Sequence, residues 1–407
     1  MTSYQNIIPF QSEQLAHAHI IQSDAEALEI AHNLAEQFKA GAVQRDAEHI
    51  LPFEEIEAYS QSGLWAITVP KQYGGAEVSS YTVAQVIALI SGVDGSIGQI
   101  PQNHFYGLEI LRNNGTEQQK QKLYAEVLKG ARLGNALAEF KTKTAAQRQT
   151  AIRKTDQGYV INGEKFYCTG SLFAHRIPTL VVDEQDQQFL AFVPRNSEGL
   201  TLIDDWSGFG QRTTGSGTVK FNNVQVLAED VVPFDIAYSE PTLSGPFAQL
   251  LHASIETGIA RAAFEETLKR VRQARPWIDS GVDQASDDPL TKFELGRIVA
   301  DVRASEVLLK QAARSIDAAR PAPTPENIAK ASLDVAKVRA HSTETALKAS
   351  SKLIELAGSR GSQREDGLDR FWRNARVHTL HDASRWKYYF IANYLLNGIL
   401  PPRRGTL

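Results

Sequence analysis

Between Asp24 and Ala40 the apolar residues Ala27, Leu28, Ala31, Leu34, Ala35 and Phe38 recur every three or four positions, a spacing that lays one apolar stripe along a helix. Asp24 reads as its N-cap and Gly41 as its stop. Thr116-Glu117-Gln118-Gln119 has the capping-box spacing, in which a hydroxyl and a Gln side chain satisfy each other's unpaired amides. It predicts a helix to about Leu128. Leu64 to Pro70, followed by Tyr73-Gly74-Gly75, reads as an extended piece ending in a tight loop. After Gly130 the period falls to two and turn dipeptides come at short intervals. Tyr159 to Ile161, Asn162-Gly163 and Lys165 to Thr169 form a hairpin signal. Thr179 to Asp183 and Phe189 to Val193 flank an acidic, Gln-rich turn, and Val219 to Phe221, Asn222-Asn223 and Val224 to Val226 predict a further hairpin. From about Gly245 helical character returns over Leu250–Val271, Leu290–Ala319 and Ile328–Leu356, with the proline-rich 321–325 as connector. A last helix starts at Asp382 with Trp386, Tyr389, Phe390 and Tyr394 apolar, and stops at Gly398. The reading is mainly α with a central β domain: helices over 1–131, a small β-barrel or sandwich over 132–240, and a four-helix bundle over 241–407.

Composition narrows the function classes. At 407 residues the chain is long enough for two or three domains, and its 42% hydrophobic and 22% charged residues are those of an ordinary globular protein. A formal net charge of -4 with no basic block argues against a nucleic-acid partner. No apolar run approaches the roughly 18 to 20 residues of a membrane span, and the first residues lack the basic-then-apolar order of a signal peptide. Cys168, the one cysteine, excludes an intrachain disulfide and a thiolate cluster and fits a reducing compartment, so a cytoplasmic location is expected. It reads as a small buried filler.

Chemistry concentrates in Phe371-Trp372-Arg373-Asn374-Ala375-Arg376-Val377-His378-Thr379-Leu380-His381-Asp382-Ala383-Ser384, which places two histidines beside a carboxylate. Histidine can donate a hydrogen bond in either charge state, and its ordinary pKa near 6.5 suits proton handling at neutral pH. On residue type alone His378 and His381 could instead satisfy helix-end carbonyls, and Asp382 reads as an N-cap in preference to a base. A metal site would need a fourth ligand from elsewhere, so none is expected.

The same run resembles the acyl-CoA dehydrogenase segment Arg-Asp-Ala-Arg, three residues, Tyr-Glu-Gly-Thr, whose Glu is the base; here the last four are His381-Asp382-Ala383-Ser384. Gly134-Asn135-Ala136-Leu137-Ala138-Glu139 is similar to that family's segment ending in Thr/Ser-Glu-Pro, and Lys165-Phe166-Tyr167-Cys168-Thr169-Gly170 to its Lys-x-Trp-Ile-Thr-Asn strand. Glu355-Leu356-Ala357-Gly358-Ser359-Arg360-Gly361 stands at its Gln-x-x-Gly-Gly-x-Gly turn, which meets flavin phosphate across a subunit interface. The Arg-x-x-Phe-Gly element that grips the adenine half of FAD survives only as Arg275 in Arg275-Pro276-Trp277. With Asp204 to Thr213 and Ile100 to Tyr106, these departures resemble the flavin-dependent monooxygenase branch, dibenzothiophene monooxygenase-like, and within it most closely the sulfur-acquisition oxidoreductases of the SfnB type.

That resemblance implies an acyl-CoA dehydrogenase-like fold and an oxidoreductase using reduced FMN, with FAD the possible alternative. The flavin would come from a separate NAD(P)H-dependent reductase and, with O2, oxygenate a small organosulfur compound for sulfur acquisition in a homotetramer. It implies His381, His104 and Thr169 as catalytic groups. The implied cofactor-binding residues are Asn135, Ala138, Glu139, Tyr167, Thr169, Arg212, Arg275, Ser359, Arg360 and His381. Tyr106 and Trp206 would lie near the substrate. The loop Gly210 to Gly217 is neither a Walker nor a Rossmann motif. Two alternatives stand beside this reading: an acyl-CoA dehydrogenase with bound FAD and Asp382 as base, and a non-catalytic flavin-scaffold binding protein.

Overall fold

The computed structural model describes residues 2–3, 18–140 and 148–406. Its first third is helical, with α1 (Asp24–Lys39), α2 (Ala42–Glu48), α3 (Phe53–Gln61), α4 (Ser80–Val93), α5 (Ile100–Asn114) and α6 (Glu117–Leu128). Thr116 and Gln119 form the expected capping box at α6. The cap of α1 is one residue earlier than expected: Ser23 Oγ accepts from Glu26 N. Asp24 instead accepts from Ser79 N (3.0 Å) and Ser79 Oγ (2.6 Å), so its carboxylate ties α1 to the start of α4. Leu64–Ala66 is a buried 3-10 turn and not an extended piece, because Leu64, Trp65 and Ala66 all point into the core.

Strands β1 (Thr2–Ser3), β2 (Ala151–Thr155), β3 (Gly158–Lys165), β4 (Arg176–Val182), β5 (Gln188–Pro194), β6 (Leu200–Asp204), β7 (Thr218–Val226) and β8 (Val231–Pro233) form one mixed sheet, ordered β1-β6-β7-β3-β2-β4-β5-β8. The β4–β5 hairpin is as expected, Val182 facing Gln188. Asn162-Gly163 and Asn222-Asn223 are not turns. β3 and β7 run straight through them as an antiparallel pair with a register shift between Ile161 and Gly163, and the hairpin turn falls at Asp156-Gln157. The reason is reciprocal pairing across the bulge: Asn162 Nδ2 donates to Asn223 Oδ1 (3.1 Å), and Asn223 N donates to Asn162 Oδ1 (2.8 Å).

The last part contains α7 (Ile236–Ser239), α8 (Ser244–Gln273), α9 (Pro289–Ala319), α10 (Pro325–Ala357), α11 (Asp369–His378) and α12 (Arg385–Asn397). Pro325 sits at the first turn of α10, where its missing donor costs nothing. One large apolar core joins α1 and α4 to α8, α9 and α10 through residues such as Phe38, Ile87, Leu250, Ile259, Leu309 and Val335. A second lies between α5, α6 and the sheet, and a third, holding the fully buried Cys168, lies within the sheet domain. Helix α12 begins at Arg385 without a side-chain cap, so Asp382 is not its N-cap. Trp386, Tyr389, Leu395 and Leu396 on α12 are 53, 53, 75 and 82% exposed, an apolar surface on which Trp386 and Tyr389 pack against each other and Phe390 of the same helix. Among those residues no helix is long and apolar enough to cross a membrane.

Candidate active site

Three segments converge on a cavity of about 510 Å³ between the sheet and α11. The first is the stretch 133–139, held beside β4 by bridges from Leu133 to Arg176 and Ala136 to Thr179, and joined to Phe166 through Ala138. It presents Asn135, Leu137 and Ala138. Asn135 is locked from both sides, its amide donating to Ser171 Oγ (3.1 Å) and its carbonyl accepting from that hydroxyl (2.7 Å).

The chain leaving β3 supplies Tyr167 and Thr169. Tyr167 has φ 55°, a left-handed conformation costly for an aromatic residue, and Asn135 Nδ2 braces its carbonyl at 3.3 Å. Its ring stands edge-on to Trp206 with centroids 5.9 Å apart. The third segment is the glycine-rich loop after β6. Gln211, Thr214 and Ser216 line the cavity, and Gln211 N donates to Asn374 Oδ1 on α11 (2.7 Å). Gly210 is required there, since a Cβ would lie 2.0 Å from Arg373 O. The loop and the histidine-bearing helix are therefore positioned by each other.

At the end of α11, His378 and His381 also line the cavity. His378 Nδ1 donates to Glu256 Oε1 (3.0 Å), which leaves its Nε2 to accept from His252 Nδ1 (3.1 Å). Burial pushes both His378 and His252 below the ordinary imidazole range, so both rings are neutral and this pair of tautomers is fixed. Glu256 also accepts from Arg339 Nη1, Ser342 Oγ (2.8 Å) and Thr343 Oγ1 (3.0 Å), with acid and guanidinium wholly buried. Burial alone would raise the Glu256 carboxyl; the Arg339 charge together with the hydrogen bonds from His378 and Ser342 outweighs it and holds the acid low.

The His381 ring lies 3.9 Å centroid to centroid from that of His252, with Nδ1 3.5 Å from Asp382 Oδ2. With Nδ1–H turned to the carboxylate, Nε2 donates when the ring is protonated. Asp382 accepts from Gln249 Nε2 (3.0 Å) and faces Lys387 Nζ (3.5 Å) and Arg339 Nη2 (3.8 Å). Burial opposes its ionisation, but the hydrogen bond from His381 and the charges of Arg339 and Lys387 hold it well below the usual carboxylate range. A carboxylate so stabilised is a poor base, and Asp382 does not line the cavity.

The remaining sequence candidates lie elsewhere. His104 is fully buried, its Nε2 donating to Trp65 O (2.7 Å) and its Nδ1 accepting from Leu133 N (3.0 Å), and burial lowers it to about 3. Both ring nitrogens being used inside the protein, its geometry is that of a neutral structural bridge and not of a catalytic group. Glu139 accepts from Lys165 Nζ (2.5 Å), Thr150 N (3.1 Å) and Gln149 N (2.7 Å) beside the cavity. Arg212 Nη1 donates to Ala47 O at 3.3 Å. Arg275, Ser359 and Arg360 are exposed and do not line the cavity of their own chain. Among the described residues no group of three histidine, cysteine or acidic side chains is arranged to hold a metal ion.

Sequence reasoning passed over Gln99, Asn103, His252, Glu256 and Arg339. Glu256 follows Ile255 and precedes Ile259 and Ala263 on a buried face, and a charge at an apolar position was the available signal. The cavity fits a flat, partly polar ring system: 510 Å³ lies within the usual ligand range, its surface is mostly apolar although many lining residues carry polar groups, and Gln99 Oε1, buried there, has no hydrogen-bond partner among the described residues.

Comparison with known proteins gives the following. The family described as acyl-CoA dehydrogenase, N-terminal domain, matches residues 25–131, and acyl-CoA dehydrogenase, C-terminal domain, matches residues 250–386. Dibenzothiophene monooxygenase of Rhodococcus qingshengii is 32% identical over 399 residues, covering 93% of this chain and 95% of that one. The probable FMNH2-dependent monooxygenase SfnC of Pseudomonas putida is 28% identical, covering 92% and 96%. The FMN-bound TdsC structure from Paenibacillus sp. A11-2 superposes with a TM-score of 0.89 at 30% identity, covering 94% of this chain and 100% of that chain.

Proposed function

Because the chain belongs to the acyl-CoA dehydrogenase family, in its flavin-dependent monooxygenase branch, we propose that it oxygenates a small organosulfur compound, a sulfide, sulfoxide or sulfone, with O2 and reduced FMN. The observation that carries the reading is the exchange at the end of α11: the cavity is lined by His381, while the carboxylate that a dehydrogenase would need as base is tied to Gln249, Lys387 and Arg339. When bound, FMNH2 supplies two electrons, so that one oxygen atom enters the substrate and the other leaves as water.

In this reading Asn135 and Gln99 orient the flavin by its polar edge, Tyr167 and Trp206 cover it from water, and Thr169 meets it through its hydroxyl. His381 delivers a proton from Nε2 on the cavity side. His252 and the His378–Glu256 pair fix its ring, so that stray protons do not divert the oxygen to hydrogen peroxide. The 510 Å³ must hold both flavin head and substrate, which favours a small sulfur compound. The reduced flavin comes from a separate NAD(P)H-dependent reductase. Arg275, Ser359 and Arg360, exposed on their own chain, bind the phosphate of a neighbouring copy in a homotetramer whose contacts include the apolar face of α12. Its setting is the cytoplasm, which the single buried cysteine supports.

The test is to mix the protein with a flavin reductase, NADH, FMN, O2 and a panel of sulfides, sulfoxides and sulfones. An oxygenated product is expected, and none from any member would refute the reading. His381→Ala should still bind FMN while oxygenation falls and hydrogen peroxide rises; unchanged coupling would remove His381 from the reaction.

A further inference from the structure

Behind Thr169 runs a chain of three hydroxyls that ends on a backbone carbonyl. Thr169 Oγ1 and Ser216 Oγ are 2.8 Å apart, Ser216 Oγ and Thr214 Oγ1 are 2.7 Å apart, and Thr214 Oγ1 donates to Gln211 O at 3.0 Å. Each hydroxyl has one proton to give, and a carbonyl can only accept. Three protons serve three bonds in one direction alone: Thr214 gives to Gln211 O, Ser216 gives to Thr214, and Thr169 gives to Ser216. All three residues line the cavity, with Thr214 the most deeply buried at 1% exposed and Thr169 and Ser216 at 8% and 7%. The Gln211 carbonyl that anchors the chain is fixed in turn, accepting from Trp206 Nε1 (2.8 Å) and belonging to a residue at φ 46° whose amide is held by Asn374.

Thr169 therefore offers the cavity lone pairs and no proton. The two redox states of a flavin differ in what their central ring presents there: the oxidised ring carries a bare nitrogen, an acceptor, at the position where the dihydro form carries N–H, a donor. We propose that the Thr214–Ser216–Thr169 chain is a redox-state selector, its one-way polarity favouring dihydroflavin over oxidised flavin, with Thr214 and Ser216 as the residues that set the preference. The inference rests on the reading that the cavity holds flavin. A selector of this kind lets the site take reduced flavin from solution and release it after oxidation, without any domain movement.

The experiment is anaerobic calorimetry of the full chain with FMN and with dithionite-reduced FMN. One hydrogen bond gained against one acceptor left facing an acceptor predicts roughly tenfold tighter binding of the reduced form, or a bound-flavin potential raised by about 30 mV. Thr214→Val removes the anchor and lets the chain reverse, and Ser216→Ala frees the Thr169 proton for the cavity. Either should bring the two dissociation constants together, while Thr214→Ser should restore the gap. A purely structural role would weaken both redox forms by the same factor and overturn the inference, as would a wild-type protein that binds both equally. Binding of neither form would overturn the flavin reading itself, and the inference with it.

Discussion

The buried Glu256–Arg339 pair gives a prediction that can be worked through. Glu256→Leu strips the acceptor from Ser342, Thr343 and His378 and leaves Arg339, wholly buried, with the hydroxyl of Thr343 (2.8 Å) and, as its counter-charge, the more distant Asp382 at 3.8 Å. Uncompensating a buried charge costs about 3–5 kcal/mol, and each lost hydrogen bond adds about 1 kcal/mol. Against a typical stability of about 5–15 kcal/mol, that is a third or more of the total. Arg339→Leu is milder, because Glu256 keeps three donors. The double variant removes both charges together, so it should be less destabilised than the sum of the singles by about 3 kcal/mol. Urea unfolding followed by fluorescence of the five tryptophans measures all four corners of the cycle. Additivity to within about 0.5 kcal/mol would refute the claim that the pair is one unit.

Three more outcomes are expected. Gly258→Ala should lose about 1–3 kcal/mol, because a Cβ there would lie 2.2 Å from Ala88 O where α8 crosses α4; a neutral urea midpoint would show that the crossing can relax. Stability should fall as pH drops below about 6.5, since His104 is held at about 3 and His175 at about 2 by burial. The unfolded chain then binds protons that the folded one refuses, at about 1.4 kcal/mol per pH unit for each group. An unfolding midpoint that is flat from pH 7 to 5 would contradict this. Trp386→Ser with Tyr389→Ser should lower the mass seen by light scattering while leaving the circular dichroism unchanged; an unaltered mass would take α12 out of the interface.

The helices were legible because period and caps agree: the box at Thr116 and Gln119 states its own start, and the proline-rich connector ends where α10 begins. The strand errors have one cause. Asn-Gly and Asn-Asn carry turn chemistry, but Asn162 and Asn223 lie opposite each other, and their mutual bonding, a long-range fact, turned two apparent hairpins into one bulged pair. At the site, Asn135, Tyr167, Thr169 and His381 were named from short motifs and do meet in one cavity. The support beneath them was not legible. His252, Glu256 and Arg339 come from α8 and α10, more than eighty residues apart, and no local pattern announces that three helices will share one hydrogen-bonded cluster. Asp382 shows the converse error: close before a helix it resembles a cap, yet it lies three positions short of the helix start at Arg385, where Lys387 and Arg339 hold it inward.

The solitary cysteine has a meaning beyond packing. Besides Met1 it is the only sulfur in the chain, and burial pushes its thiol far above the range in which a thiolate forms. Oxidants attack thiolates first, so an enzyme that handles oxygen beside this cavity offers them almost nothing to attack. Damage accumulated during turnover should therefore be written on the rings of Trp206, Tyr167 and His381, and wear in this protein becomes a map of where the oxygen has been.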